Sequence, residues 1–347
     1  MPAKQPVTVA CAANEGYVIP MTVMLTSIVC NLNPDRDMDI YIIESDIQSG
    51  QREKIETSIL QNKKNQRVDI HWLKLDKSLI DDLPVAGHVG HITSETYARL
   101  LAPDLLPATC HRLVWLDCDV VVLADISALH DVDDDGQTVA AVSNVVHPYV
   151  SSPLYGSTVV FNHAELGIPA TNRYFQAGVM VVNLDLWRQR NISLRTLHYL
   201  KEHQEKVIYH DQGGLNAILH DQWFRLDQRW NQTAAVLEPE FWTSPAYSKE
   251  EWIKTKNDPF IVHFAGADKP WHPGSKRPRA SFFCRYFNKT LFKDDLKLFT
   301  LESKIGFRNY VILWKAKKKM DSILAQVKTY FRGQGFQTGK LVSHGRP

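Results

Sequence analysis

Between Val7 and Ser143 short β-rich runs alternate with helical stretches, and no other feature of this 347-residue chain limits its fold as strongly. Val7–Ala13 is apolar and ends in the turn signal AANEG. Pro20 stands at a helix start, and MTVMLTSIVCNL reads as a helix stopped by Asn33-Pro34. Met38–Glu44 (MDIYIIE) reads as a second strand. Gln48–Gln61 reads as a polar helix with Ile55, Ile59 and Leu60 on one face. Val68–Leu75 alternates and reads as a third strand, Thr96–Leu106 as a helix, Arg112–Leu116 as a fourth strand and Val139–Ser143 as a fifth. Strand and helix in this order predict an α/β fold, a parallel sheet covered by helices on both faces. Ligands of such sheets bind beyond the carboxyl ends of the strands, where AANEG and LDCD both stand.

The second half is less regular. Residues 144–173 are rich in Pro, Gly, Ser and His and read as a long loop or lid. FQAGVMVVNL (175–184) is an apolar strand, Asp185–Tyr199 and His210–Leu219 read as helices, and PFIVHFAG (259–266) is a strand ending in a glycine turn. No apolar run reaches the ~18 residues of a spanning helix, and the start lacks a signal peptide's apolar core, so a cytoplasmic location is expected. Five cysteines without CxxC spacing suggest neither a disulfide framework nor a zinc site. The sequons at Asn191, Asn231 and Asn288 bear only on secreted proteins.

In VWLDCDVVV (114–122) two carboxylates interrupt an apolar run. Residues i and i+2 of an extended chain share a face, so Asp117 and Asp119 can converge. Converging carboxylates repel unless one is protonated or a cation neutralises both. Oxygen ligands suit Mg²⁺ or Mn²⁺, and an added imidazole favours Mn²⁺. Asp-x-Asp alone is a weak signal, since acids often solubilise strand ends. DVDDDG (131–136) begins like a calcium loop, but Val142 stands where a bidentate Glu is required, so it reads as a solvated turn. His263 interrupts an apolar strand and Lys269-Pro270-Trp271-His272 follows closely. Each has a plainer reading: a satisfied core histidine, a solvated lysine, a tryptophan at a core edge. Taken together they make two acids, a candidate third ligand in His263, and a cation with glycines that suits diphosphate.

These residues resemble those of glycosyltransferase family 8, the retaining nucleotide-sugar transferases, from about Val7 to His272. AANEGY (12–17), TYARL (96–100), WLDCD (115–119), FQAGVMVVNL (175–184), HDQGGLN (210–216) and HFAGADKPWH (263–272) stand in family order, closest to bacterial lipopolysaccharide and lipooligosaccharide galactosyl- or glucosyltransferases. The resemblance implies a GT-A, Rossmann-like mixed sheet flanked by helices over residues 1–276, with a helical, basic region over 277–347. It implies that Ala12, Ala13, Asn14 and Tyr17 hold uracil and ribose, and that Arg99 lies beside the donor. Asp117, Asp119 and His263 would bind Mn²⁺ (or Mg²⁺), with Gly266 and Lys269 clamping the diphosphate. Gln176, Ala177, Asp211 and Gln212 would face the donor sugar, Gln212 and Asp211 carrying the catalytic side. The implied activity is metal-dependent transfer of galactose or glucose from a UDP-hexose to a glycan or glycolipid acceptor, such as lipopolysaccharide core. A glycogenin-like self-glucosylating protein and a non-catalytic nucleotide-sugar-binding protein are the alternatives. The chain departs from the family at Gln176 (usually Asn), at Gly213 (Asp in the close bacterial relatives) and at Asn14 (Asp in bacterial members).

Residues 301–347 hold ten Lys/Arg and two acids, a net +8 against −6 for the remainder of a chain whose total is +2. Met320, Ile323, Leu324, Val327 and Phe331 share one face of an amphipathic stretch there. This composition suits peripheral docking on an anionic membrane surface at the inner face, whereas no nucleic-acid motif accompanies the charge. The plainer reading is a terminal helix packed on the body. Deleting 301–347 is expected to release the protein from anionic vesicles, in a sedimentation assay, while leaving donor hydrolysis intact; unchanged vesicle binding would discard the docking reading.

Overall fold

The computed structural model describes residues 5–80, 83, 94–153, 162–204, 210–220, 222–237, 247–272, 275–295 and 319–320. The strands among them are β1 (Val7–Ala13), β2 (Met38–Glu44), β3 (Val68–Lys74), β4 (Arg112–Leu116), β5 (Val120–Val122), β6 (Val139–Ser143), β7 (Phe175–Asn183), β8 (Trp223–Arg225), β9 (Gln232–Thr233) and β10 (Ile261–His263). The helices are α1 (Val18–Asn31), α2 (Ser49–Leu60), α3 (Ala98–Leu105), α4 (Ile126–His130), α5 (Leu184–Gln189), α6 (Ile192–Glu202), α7 (His210–Ile218), α8 (Lys249–Asn257) and α9 (Ala280–Phe287).

Seven strands form the main sheet in the order β3-β2-β1-β4-β7-β6-β8. The parallel arrangement expected of the first half holds for β3, β2, β1 and β4. β7 then lies antiparallel between β4 and β6, so the sheet is mixed. Side chains leave the strands with a period of two. Val7, Val9 and Cys11 of β1 face a core shared with α1, α2, α4 and α9, whereas Ala10 faces a second core shared with α3, α5, α6 and α7. Both faces are covered, which is why the strands read as nearly unbroken apolar runs.

The apolar stretch 114–122 is not one strand. β4 ends at Leu116, residues 118–119 turn, and β5 enters a second sheet, β5-β10-β9. The backbone bonds explain the change of sheet. Asp117 N–H donates to Gly178 O (2.8 Å), the last bond toward β7, whereas Asp119 O accepts from Phe264 N–H (2.9 Å), just past β10. Asp117 and Asp119 therefore converge through a turn rather than through the pleat of an extended strand. The helix expected over Asp185–Tyr199 is also divided, because Asn191 sits at φ 51° in the left-handed region between α5 and α6.

Asn31, at the end of α1, joins three elements through its side-chain amide. Its Nδ2, with two hydrogens to share, lies 2.8 Å from Ser27 O, 3.0 Å from Val122 O of β5 and 2.7 Å from the Tyr286 hydroxyl of α9. Phe283, Tyr286 and Phe287 of α9, and Phe292 beyond it, lie in the same core as α1. The basic stretch 301–347 lies outside the described residues except for the helical pair Lys319 and Met320. Part of the loop at 144–173, residues 154–161, also lies outside them. No described helix is long and apolar enough to cross a membrane.

Close packing of α6 on α7 depends on Gly214, where an added Cβ would fall 2.8 Å from Thr196 Cγ2 and 3.0 Å from Leu200 Cγ. Gly214→Val is expected to destabilise the protein by about 1–3 kcal/mol through overpacking, measured as a lowered midpoint of chemical unfolding.

Candidate active site

The site begins with a bulge in β7. Met180 lies opposite Ala141 of β6, but the next pair is Gln176 with Val142, so Ala177, Gly178 and Val179 have no partner on β6. Side chains bind the backbone groups thus freed. Arg99 Nη1 donates to Ala177 O (2.7 Å), and Ala177 N–H donates to Gln212 Oε1 (3.1 Å). Gly178 N–H donates to Gln176 Oε1 (2.8 Å). Asn216 of α7 grips the strand just before the bulge, accepting from Phe175 N–H (2.8 Å) and donating to Phe175 O (3.0 Å). The bulge is thus tied to α3 and α7.

Arg99 of α3 is the cationic centre of this side. Besides Ala177 it reaches Asp117 Oδ1 (2.8 Å) and Asp211 Oδ2 (2.7 Å), and Asp211 Oδ1 accepts from the Thr96 hydroxyl (3.0 Å). Burial opposes the guanidinium charge, but the carboxylates of Asp117, Asp211 and Asp119 outweigh it and raise the Arg99 pKa. At Asp211 burial dominates and raises the carboxyl pKa despite Arg99.

Asp119 faces the other way. Its Oδ2 accepts from Lys269 Nζ at 2.5 Å and its Oδ1 lies 3.1 Å from His263 Nε2. Burial alone would raise its pKa; the charges of a protonated His263 and of Lys269 overcome burial and hold the carboxyl well below the usual range, Lys269 acting without that help when the imidazole is neutral. Because the folded-state pKa is depressed, the stability this contributes is present above the ordinary carboxylate pKa and is lost as pH falls through the lower folded value. Lys269 also donates to Phe264 O (3.1 Å) and is only 4% exposed, so the solvated-lysine reading fails.

Asp117, Asp119 and His263 offer ligand atoms that all lie within 4.8 Å of one another. His263 Nδ1 is 2.9 Å from Asn231 Oδ1, an acceptor, so that nitrogen carries the proton in the neutral ring and Nε2 turns its lone pair toward Asp119 Oδ1. Asp119 Oδ1 is buried and accepts no hydrogen bond. Two acceptors facing each other are relieved by a cation between them, whether a proton or a divalent metal. Two carboxylates and one imidazole therefore fit a divalent ion. Gly178 leaves the room: a Cβ there would lie 2.5 Å from His263 Cε1 and 2.6 Å from Asp117 Oδ2.

The residues expected to hold the nucleoside stand beside this cluster. Ala12 O accepts from the Cys118 thiol (3.0 Å), and Ala13 is buried at the end of β1. Asn14 Nδ2 donates to Glu95 Oε2 (3.3 Å), while Glu95 Oε1 accepts from the Ser45 hydroxyl (2.8 Å). Burial raises the Tyr17 hydroxyl pKa, and the charges of Asp119 and Asp117 add to this, so the phenol stays protonated near them. The Tyr17 ring meets Trp271 edge-on at 6.0 Å, and Trp271 packs on Phe283 at the core edge. Gly266, at φ 95°, turns the chain between β10 and Lys269. Asn231, which the sequence offered only as a sequon, Gly178 and Glu95 were not expected in the site. Only Gly178 carried a signal, as a glycine inside a strand where another group approaches closely.

The profile of Glycosyl transferase family 8 matches residues 8–274. The chain is 30% identical over 286 residues to general stress protein A of Bacillus subtilis (strain 168), covering 81% of this chain and 93% of that one. It is 28% identical over 288 residues to lipopolysaccharide 1,2-glucosyltransferase of Escherichia coli (strain K12), covering 83% and 79%. Its structure is similar to that of the galactosyltransferase LgtC in complex with donor and acceptor sugar analogues (TM-score 0.70, 21% identity), covering 84% of this chain and 100% of that one. That similarity establishes the GT-A fold.

The crowding around Gly178 gives a direct test of the cation site. Gly178→Ala is expected to abolish Mn²⁺ binding, followed by isothermal titration, while circular dichroism shows the fold retained; wild-type affinity in this variant would contradict the geometry.

Proposed function

The chain belongs to glycosyl transferase family 8, and on that premise we propose that it moves galactose or glucose from a UDP donor to a glycan acceptor with retention of configuration. The acceptor is a lipopolysaccharide core or another cell-surface glycan, a reading supported by the similar lipopolysaccharide glucosyltransferase. The observation that carries the proposal is the convergence of Asp117, Asp119 and His263 around a buried carboxylate oxygen that accepts no hydrogen bond.

Asp117, Asp119 and His263 would hold a divalent cation, Mn²⁺ or Mg²⁺, which would supply Lewis-acid neutralisation of the departing diphosphate. Lys269 adds a fixed cation at the same end, next to Gly266, where the backbone can approach phosphate oxygens. With the leaving group stabilised as an anion, no side chain need protonate it. Ala12, Ala13, Asn14 and Tyr17 hold uracil and ribose at the carboxyl end of β1. Arg99 neutralises Asp117 and fixes the bulge that faces the sugar.

Retention requires either a nucleophile on the opposite face or attack from the same face. Gln212 Oε1 already accepts from Ala177 N–H, and Asp211 is paired with Arg99 and Thr96. Both therefore shape the sugar pocket, and the acceptor attacks from the leaving-group side through a short-lived oxocarbenium-like ion pair. Gln176 and Ala177 complete that pocket, Ala177 being joined to Gln212 by its own N–H.

In a screen of UDP-glucose, UDP-galactose and their N-acetyl forms, Mn²⁺-dependent release of UDP is expected from one of the two unmodified hexose donors. Asp117→Asn is expected to lower that release by about 10²–10³-fold, the range for losing one preorganised stabiliser of transition-state charge. Release that persists in excess chelator, or that survives this substitution, would remove the metal from the mechanism.

A further inference from the structure

Asn231 is fully buried, ends the short helical turn Gln228–Asn231, and stands between the cation cluster and the sugar wall. Its Oδ1 lies 2.9 Å from His263 Nδ1, and its Nδ2 donates to Gln176 Oε1 in a close contact. The direction of this chain follows from a group whose chemistry is unambiguous. Gly178 N–H can only donate, so the Gln176 atom it meets at 2.8 Å is the amide oxygen. That oxygen in turn demands a donor from Asn231, which turns the other end of the Asn231 amide, its oxygen, toward His263. An oxygen there accepts only from a protonated Nδ1, and the neutral ring then keeps its lone pair on Nε2.

We propose that Asn231 is a positioning residue that sets the tautomer and ring orientation of His263, and that Gln176 acts through it, so that the sugar wall and the cation cluster are one hydrogen-bonded unit. This rests on the cation reading of Asp117, Asp119 and His263. The unit starts at the β7 bulge, where Gly178 N–H is free of the sheet and so available to orient Gln176. Gln176 is long enough to fold back onto the second residue after it and still meet Asn231. Partners of a metal-binding imidazole's second nitrogen commonly set ligand affinity in this way.

The test uses the full-length protein labelled with ¹⁵N-histidine, with His263→Gln assigning the resonance. In metal-free wild type at alkaline pH, His263 is expected as the Nδ1–H tautomer. Asn231→Leu, close in volume but without either polar end, is expected to show both tautomers and to bind Mn²⁺ about 10–100-fold more weakly by electron paramagnetic resonance. Gln176→Leu lies at a less buried position, so it serves if the first variant fails to fold. It is expected to shift the same resonance and to weaken Mn²⁺ binding by a smaller factor, because the Asn231 amide can then rotate. Asn231→Asp keeps an acceptor toward Nδ1 and is expected to retain the tautomer. An Nε2–H tautomer in wild type overturns the proposal, as does a tautomer and Mn²⁺ affinity unchanged in both leucine variants. Wild type that binds no Mn²⁺ would count against the cation reading alone, since the tautomer is measured without metal.

Discussion

A buried carboxylate flanked by two basic side chains organises this molecule's site. Asp119 is 8% exposed, yet it is held in its charged form because the Lys269 ammonium meets one oxygen, while the other faces His263, whose imidazole adds its charge when protonated. Burying an apolar group is favourable but removing a charge from water is costly, so such an arrangement persists only where its partners are fixed in advance. Each partner here is fixed. Lys269 follows the Gly266 turn and is also held by Phe264 O, and His263 is a residue of β10 whose second nitrogen is engaged by Asn231.

The sheet topology makes that arrangement reachable. Asp117 follows β4 and belongs to the main sheet, whereas Asp119 leads into β5 of the small one, and Val120 pairs directly with His263. A two-residue turn therefore brings side chains from two sheets to one point. The bulge in β7 does the complementary job right beside that turn, Gly178 O accepting from Asp117 N–H. It withdraws Ala177 and Gly178 from β6 and lends their backbone groups to Arg99, Gln212 and Gln176. The turn after β4 and the bulge in β7 thus meet at the proposed site.

Much of the fold was legible because burial on both faces leaves continuous apolar runs. β1, β2 and β4 begin and end where composition alone placed them. That β4 stops at Leu116 was legible, but not that the run resumes at Val120 in a different sheet, since no Gly or Pro marks the change and Cys118 continues the apolar run. What divides the strand is a change of hydrogen-bonding partner from β7 to β10, which is a long-range event. His263 was legible as a polar residue in an apolar strand. Asn231 was not, because its meaning comes from residues 32 and 55 positions away. Lys269 read as solvated or phosphate-binding, and nothing local announces that Asp119, 150 residues earlier, buries it. Chemistry-bearing residues could be named from spacing, whereas the residues that orient them could not.

The seam between the two sheets has a thermodynamic corollary. An ion gripped from both sides of it would bind the native arrangement and not the unfolded chain, so its binding energy would add to the free energy of folding by mass action. Heat resistance of the protein would then follow the concentration of free divalent ion.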